Sequence, residues 1–278
     1  WDGLTAELQG IEVIRDPSQV AKLSQDYHLF SPILQAQLDG KKGDLVVRPT
    51  TEAEVMQVAA TCVKYRVPVT IRGAGTGNYG QCVPLHGGVV LDMSRMQAIR
   101  WIKSGVARVE TGVKLAALDK KARETGWEVR MAPSTYRTAT IGGFIAGGSG
   151  GIGSITYGQL RDRGNINAIR VVTMEDEPRA IELRGDDIQK VNHAWGINGI
   201  ITELEIPLGA AYPWTEVIVT FESFMAAAHF GQALGNADGT IKKLISIFAW
   251  SIPTYFGAIR QYIPDGTHAA LLMVAEPS

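Results

Sequence analysis

The chain has 278 residues, and its 27 lysines and arginines against 28 acidic residues leave a net charge of −1. This balance does not favour nucleic acid or an anionic membrane surface as a partner. No run of about 18 apolar residues is present, so we expect no integral membrane segment. Cys62 and Cys82 form neither a disulfide framework nor a metal-ligand spacing, so we expect a cytoplasmic protein without a metal site.

The N-terminal third of the chain predicts a β-α-β unit. Residues 45–49 and 67–71 are short apolar runs typical of strands, and we expect them to pair in parallel. Between them, Thr51 and Glu54 form a capping box that opens a helix ending near Arg66. The apolar face of this helix recurs with helical spacing at Val55, Val58, Ala59, Cys62 and Val63.

The middle of the chain predicts further strands at 88–91, 99–102, 107–110, 127–131, 168–174, 180–183 and 200–206, with helices at 113–125 and 186–192. Residues 208–213 are predicted as a linker. After it come a strand at 216–221, a helix at 223–234, strands at 241–248 and 269–275, and a short helical stretch around 255–262. The whole pattern predicts an α+β protein with a separate C-terminal unit.

The sequence also contains a glycine-rich stretch with the G-x-G-x-x-G spacing of a dinucleotide-binding turn, at 75–80. In a Rossmann fold a helix would follow, and Asp92 would be the acid that binds ribose. However, residues 81–87 are too few for a crossover helix and include Pro84, so we reject that interpretation. Two alternatives remain: a loop whose consecutive amides bind an anion, or a turn that only reverses the chain.

A second glycine-rich segment, IGGFIAGGSGGIGS, occupies residues 141–154. It lies outside the first β-α-β unit and again offers backbone donors without side chains. Two such loops from two parts of the chain favour an extended ligand held between them, because a mononucleotide would need only one.

Ordered blocks of sequence then identify a family resemblance. They are VVRPTTEAEV at 46–55, PVTIRGAGTG at 68–77, ETGVKLAALDK at 110–120, APSTYRTATIGGFIAGGSGG at 132–151, ITYG at 155–158 and GINGIITELEI at 196–206. With these blocks the chain resembles the FAD-binding domain of the vanillyl-alcohol-oxidase and p-cresol-methylhydroxylase (PCMH) superfamily. Within that superfamily it is most similar to the glycolate oxidase and D-lactate dehydrogenase branch.

The resemblance implies a domain organisation. Residues 1–43 would be an N-terminal extension, and 44–208 a PCMH-type FAD-binding domain with α/β subdomains at about 44–105 and 106–208. Residues 214–278 would be part of an α+β, ferredoxin-like cap domain. The sequence does not begin with methionine and stops in an apolar run, so we expect it to continue at both ends.

The resemblance also implies which residues hold FAD, many of them through main-chain atoms. The first loop would wrap the diphosphate, the second segment would line the flavin and the diphosphate, and the late strand would add one backbone contact. The residues implied are Arg72, Gly73, Ala74, Gly75, Thr76, Gly77, Asn78, Pro133, Ser134, Thr138, Gly142, Gly143, Gly147, Gly148, Gly150 and Ile201. Relatives with a histidine tether have it at the position of Thr76, and the second segment contains no cysteine, so we expect noncovalent FAD.

No residue can be matched to a catalytic base, since the family's His- and Asn-rich segment has no counterpart here. His86 and His193 are weak candidates that could equally be turn or capping residues. Tyr79 and Tyr157 could approach the flavin or fill their loops, and Arg72 could face the diphosphate or pair with a carboxylate. The C-terminal phenylalanines could line a substrate box or form the core of the cap; they are Phe221, Phe224, Phe230 and Phe248.

The function implied is an FAD-dependent oxidoreductase that oxidises a small organic substrate, a 2-hydroxy acid by analogy. Its electrons would pass to O2, a quinone or a protein carrier, and a homo-oligomer is left open. A second hypothesis is a catalytically silent flavin-binding subunit or scaffold. A third is an NAD(P)H-dependent reductase, which no nicotinamide motif supports.

Overall fold

A computed structural model describes residues 1–276 of the chain. Its N-terminal part is built on a four-stranded sheet with the order β1-β2-β4-β3. The elements in chain order are α1 (Asp2–Ala6), β1 (Glu12–Ile14), α2 (Pro17–Leu23), a 3-10 helix (Tyr27–Phe30), α3 (Pro32–Leu38), β2 (Leu45–Arg48), α4 (Glu52–Lys64), β3 (Val69–Arg72) and β4 (Val89–Asp92). The segment predicted as an N-terminal extension therefore contributes β1, which pairs antiparallel with β2.

The predicted pairing of the first two parallel strands was wrong, because β4 lies between β2 and β3 and is parallel to both. Val89, Val90 and Leu91 of β4 are fully buried, whereas every residue of β3 is only half-buried. A strand that is apolar on both faces is covered best in the centre of a sheet, so β4 takes that place and β3 becomes an edge.

Helix α4 begins at the predicted cap, with the amide of Glu54 donating to Thr51 Oγ1 at 3.2 Å. The carboxylate of Glu54 reaches one residue further than a standard capping box, to the amide of Thr50 at 2.6 Å. Asp92 is no ribose-binding acid here. It accepts from Arg48 Nε at 2.8 Å and from the amide of Ser94 at 3.0 Å.

The second sheet is antiparallel, with the order β5-β6-β10-β8-β9 and with β7 paired to the far end of β10. Its elements are β5 (Ile99–Lys103), β6 (Val106–Glu110), α5 (Leu115–Arg123), β7 (Trp127–Val129), α6 (Ile141–Gly147), α7 (Ser154–Tyr157), β8 (Ala168–Val172), β9 (Ala180–Arg184), a 3-10 helix (Gly185–Lys190) and β10 (Ile200–Ala210). The predicted linker starts too early, since β10 continues to Ala210 in order to pair with β7.

The C-terminal part is a three-stranded antiparallel sheet with the order β11-β13-β12 and one covering helix. Its elements are β11 (Trp214–Phe221), α8 (Phe224–Asn236), β12 (Lys242–Phe248), two 3-10 helices (Ile252–Tyr255 and Arg260–Tyr262) and β13 (His268–Ala275). Because β13 lies between β11 and β12, these form a split β-α-β unit. The three sheets with their helices confirm the predicted α+β class.

Aromatic contacts in this C-terminal part favour the core interpretation for most of the phenylalanines. The rings of Phe221 and Phe230 are 5.3 Å apart, and those of Phe248 and Phe256 are 4.8 Å apart. Phe224 is exposed and meets the ring of His268 edge-on at 5.8 Å. None of these side chains borders the cleft described below, within the part of the chain that the structure describes.

Candidate functional site

A cleft of about 320 Å³ opens between the first glycine loop and the start of the second glycine-rich segment. One wall is the loop after β3, from Gly73 to Tyr79, and the other is α6 with the residues before it. A smaller cavity of about 60 Å³ adjoins it and continues to Ile201 on β10. The cleft is thus formed where the first two sheets meet.

The first loop borders this cleft with residues 73–79. Within residues 1–276, the amides of residues 74–78 donate no hydrogen bond to another protein group. Consecutive backbone amides without protein partners can bind phosphate oxygens, and the glycines at 75 and 77 allow a close approach because they lack side chains. The unpartnered amides favour the anion-binding alternative over a turn that only reverses the chain.

Arg72 lies beneath the loop. Its guanidinium donates to the carbonyl oxygens of Gln25 and Ala74 and to Cys82 Sγ, the latter at 3.3 Å. Gly75 has a φ of +67°, and a Cβ added there would collide with the guanidinium of Arg72. Among the described residues no carboxylate pairs with Arg72, so the alternative of an ion pair is not found and its positive charge remains available to a diphosphate.

The second segment is helical where a loop was predicted. Thr140 caps α6, and its Oγ1 accepts from the amide of Gly143 at 3.4 Å. The helix ends at Gly148, which has a φ of +59°. Gly142 packs against Thr111, where a Cβ would collide, whereas a Cβ on Gly147 would meet no protein atom within 4 Å. Gly147 thus leaves open space in the wall of the cleft, as a bulky ligand requires.

The structure brings most of the predicted cofactor residues together. Those that line the cleft are Gly73, Ala74, Gly75, Thr76, Gly77, Asn78, Pro133, Ser134, Gly143 and Gly147. Those that border the adjoining cavity are Arg72, Gly142 and Ile201.

Three predicted residues border neither space, and each has a local role instead. Thr138 donates to the carbonyl of Thr135 at 3.1 Å within a turn. Gly148 lies against His193, and a Cβ on Gly150 would lie 2.8 Å from Ser154 Oγ. The cofactor role of these three residues stays a prediction, since they border neither space although the neighbouring Ser149 lines the cleft.

Several lining residues were missed by sequence reasoning, namely Asp26, Ile71, Gln81, Cys82, Thr135, Ala139, Thr140, Phe144, Ala146, Ser149 and Trp195. Thr140 could have been found, since a threonine directly before a helix is a favoured N-cap. Asp26 carries no local signal, because it reaches the loop through tertiary packing alone. Burial raises the pKa of the Cys82 thiol to about 11 against an opposing effect of Arg72, so this thiol stays protonated at neutral pH.

The weak catalytic candidates lie away from the cleft, except for Tyr79. His86 and His193 are exposed, and His193 has its ring 5.6 Å from that of Trp195. Tyr79 lines the cleft but is 71% exposed. Tyr157 stacks under the guanidinium of Arg130 at 5.0 Å, where burial raises its pKa.

Within residues 1–276, no three histidine, cysteine, aspartate or glutamate side chains are placed to share a metal ion. None of the described helices is long and apolar enough to cross a membrane.

Residues 43–178 match the protein family described as an FAD binding domain. The glycolate oxidase subunit GlcD of Escherichia coli is 32% identical over 207 residues, which cover 71% of this chain and 41% of that protein. The D-lactate dehydrogenase of Archaeoglobus fulgidus is 31% identical over 157 residues, or 56% of this chain and 34% of that protein. The chain therefore spans less than half of the length of these curated relatives.

Solved structures share the fold. An alkyldihydroxyacetonephosphate synthase superposes with a TM-score of 0.80 at 20% identity, covering 100% of this chain and 56% of that one. A variant of the Physcomitrella patens BBE-like 1 protein gives a TM-score of 0.74 at 17% identity, covering 99% of this chain and 57% of that one. At these identities the likeness concerns the fold alone.

Proposed function

We propose that this chain, whose residues 43–178 match the FAD binding domain family, is part of an FAD-dependent oxidoreductase that oxidises the CH–OH group of a small 2-hydroxy acid. One observation carries the FAD assignment: the unpartnered amides of residues 74–78 and glycines of α6 border one cleft, and Arg72 borders the cavity that adjoins it. The substrate class rests on the names of the relatives, a glycolate oxidase subunit and D-lactate dehydrogenases.

When bound, FAD supplies the hydride acceptor of the reaction, at flavin N5. The chain itself supplies the binding groups. The amides of residues 74–78 and the guanidinium of Arg72 would hold the diphosphate, while Pro133 and Ser134 line the part of the cleft that remains for the rest of the cofactor. The resemblance places the family's histidine tether at Thr76 and its cysteine tether in the second segment, which contains no cysteine, so we expect FAD to be bound noncovalently.

The noncovalent expectation has a direct test. Acid precipitation of the purified protein is expected to release all flavin absorbance into the supernatant. Yellow colour that stays in the pellet would contradict it.

Substrate oxidation is tested by adding D-lactate and glycolate anaerobically to the flavin-loaded protein and following the flavin absorbance. Bleaching by either acid, but not by NADPH, is the expected result. Mixing the reduced protein with O2 or with a soluble quinone then identifies the electron acceptor by the rate at which absorbance returns. Bleaching by NADPH alone would instead support a reductase.

A second candidate, a catalytically silent flavin-binding subunit, is favoured by one observation. In the described part of the chain no histidine lines the cleft, so the imidazole that most often accepts a proton in general base catalysis is missing there. A flavin that stays oxidised with every hydroxy acid, yet is reduced normally by dithionite, would support this candidate over the enzyme.

A further inference from the structure

Asp26 borders the cleft from the N-terminal segment, which the sequence places far from either glycine-rich loop. It caps the 3-10 helix Tyr27–Phe30, with Oδ1 accepting from the amide of His28 at 2.9 Å. The ring Nδ1 of His28 lies 2.8 Å from the same oxygen and donates to it, since a carboxylate can only accept. Both side chains are buried, and that of Asp26 is 0% exposed.

The second carboxylate oxygen of Asp26 has no such partner. Oδ2 is buried and makes no hydrogen bond to any described residue, although Asp26 lines the cleft. Buried carboxylate oxygens are costly to leave unsatisfied, so natural proteins nearly always give them a donor. Capping of the 3-10 helix does not explain Oδ2, because Oδ1 alone makes both contacts with His28.

The position of Oδ2 is fixed against the glycine loop. The amide of Tyr27 donates to the carbonyl of Gly77 at 2.7 Å, and Arg72 holds the carbonyl of Gln25. A Cβ added to Gly77 would lie 3.3 Å from Asp26 Oδ2. The N-terminal segment is thus tied to the loop on both sides of Asp26, and Oδ2 lies beside Gly77 of the loop that borders the cleft.

We propose that Asp26 is a cofactor-binding residue whose Oδ2 accepts a hydrogen bond from a hydroxyl group on the ribityl chain of FAD. The proposal rests on FAD binding in this cleft and not on the identity of the substrate. Phosphate oxygens are excluded as partners, because they are anionic acceptors and would be repelled by a carboxylate.

The ribityl hydroxyls fit better than those of the adenosine ribose. The flavin half is the larger half of FAD, so we place it in the cleft of about 320 Å³ and not in the cavity of about 60 Å³ near Ile201. Asp26 borders only this larger space. His28 acts as a positioning residue, since its two contacts to Oδ1 fix the orientation of the Asp26 carboxylate.

The test compares Asp26→Asn with wild type by calorimetric titration of the flavin-free protein with FAD and, separately, with ADP. Asparagine keeps an oxygen for His28 and replaces Oδ2 by an amide that can only donate. The loss of a hydrogen bond to a charged group predicts a Kd for FAD that rises about tenfold or more. The Kd for ADP, which has no ribityl chain, should stay within about twofold of the wild-type value.

The direction of the change in Kd distinguishes a hydrogen-bonding role of Asp26 from a purely electrostatic one. If Asp26 acted only as a negative charge near phosphates, its removal would tighten both FAD and ADP. Tighter or unchanged FAD binding overturns the proposal, as does an equal loss for both ligands, which would indicate a structural role in the loop. Unchanged FAD binding with a raised KM for the hydroxy acid would assign the donor to the substrate and likewise overturn it.

Asp16→Asn is the matched control. Asp16 caps α2 in the same N-terminal segment, accepting from the amide of Gln19 at 2.9 Å, and it does not border the cleft. It should leave both Kd values unchanged. If Asp26→Asn does not fold, Asp26→Ser gives the same comparison, because serine retains one oxygen that can cap the amide of His28 but has no second oxygen.

Discussion

Glu128 joins the C-terminal sheet to the rest of the protein, and its replacement by glutamine should be strongly destabilising. Its carboxylate on β7 is 3% exposed and accepts from Lys243 Nζ at 2.7 Å and from Trp214 Nε1 at 2.8 Å. Lys243 lies on β12 and Trp214 on β11, so both donors belong to the C-terminal sheet. Arg123 on α5 makes a third contact.

The expected loss of stability depends on the partners that Arg123 and Lys243 retain after the substitution. Arg123 retains Asp119 at 3.0 Å and is more than a third exposed, so its loss is screened by solvent. Lys243 is 11% exposed and keeps the carbonyl of Val129 at 3.4 Å and the ring of Trp214 at 5.4 Å, neither of which carries a negative charge. Leaving a buried charge without its partner costs about 3–5 kcal/mol, and we expect Glu128→Gln to lower the free energy of unfolding by about 3 kcal/mol.

Urea unfolding at pH 7, followed by tryptophan fluorescence, measures this change. In the double variant Glu128→Gln with Lys243→Met no buried charge is left unpaired, so part of the lost stability should return. Glu124→Gln is the control, since its contact with Lys121 is exposed and should contribute less than about 1 kcal/mol. A loss below about 1 kcal/mol for Glu128→Gln, or a double variant less stable than the single one, would refute the reasoning.

Two further predictions concern pH and the first glycine loop. Burial raises the pKa of Glu52, but hydrogen bonds from Arg170 and Thr202 outweigh it and hold the pKa below its ordinary 4.5. Since the pKa of Glu52 is lower in the folded state, this stabilisation is complete above about pH 4.5 and is lost as the pH falls. The thermal midpoint should therefore decrease between pH 5 and 3 in wild type, and less steeply in Glu52→Gln. Parallel curves for the two proteins would contradict this prediction. In the loop, Gly75→Ala should weaken FAD binding because the new methyl group displaces Arg72. The same substitution should reduce FAD affinity less in an Arg72→Ala background. Equal losses of affinity in both backgrounds would show that the two sites do not interact.

Local features of the fold were predictable from sequence because their causes are local. The capping box and apolar face of α4 lie within one segment, and the β5-β6 and β8-β9 hairpins join neighbours in the chain. The placement of β4 between β2 and β3 was not predictable in this way, because it depends on which strand can be buried on both faces.

The candidate site was predicted in part for the same reason. The first loop has a distinctive run of glycines, and all of Gly73 to Asn78 lines the cleft. In the second segment the glycines favoured a loop by propensity, yet the Thr140 cap and the buried Ile145 stabilise helix α6. Asp26 reaches Gly77 only through tertiary packing, so no pattern in the sequence marks it.

The most direct test of the central claim, that FAD lies in the cleft beside α6, is the Kd for FAD of a Gly147→Leu variant. Gly147 lines the cleft, and its added side chain would enter space that contains no protein atom within 4 Å of the Cβ. Gly235→Leu is the matched control, since Gly235 in α8 is equally open but does not border the cleft. The account predicts that Gly147→Leu folds but loses at least about tenfold in FAD affinity, while Gly235→Leu binds FAD like wild type. Wild-type affinity in folded Gly147→Leu would contradict it.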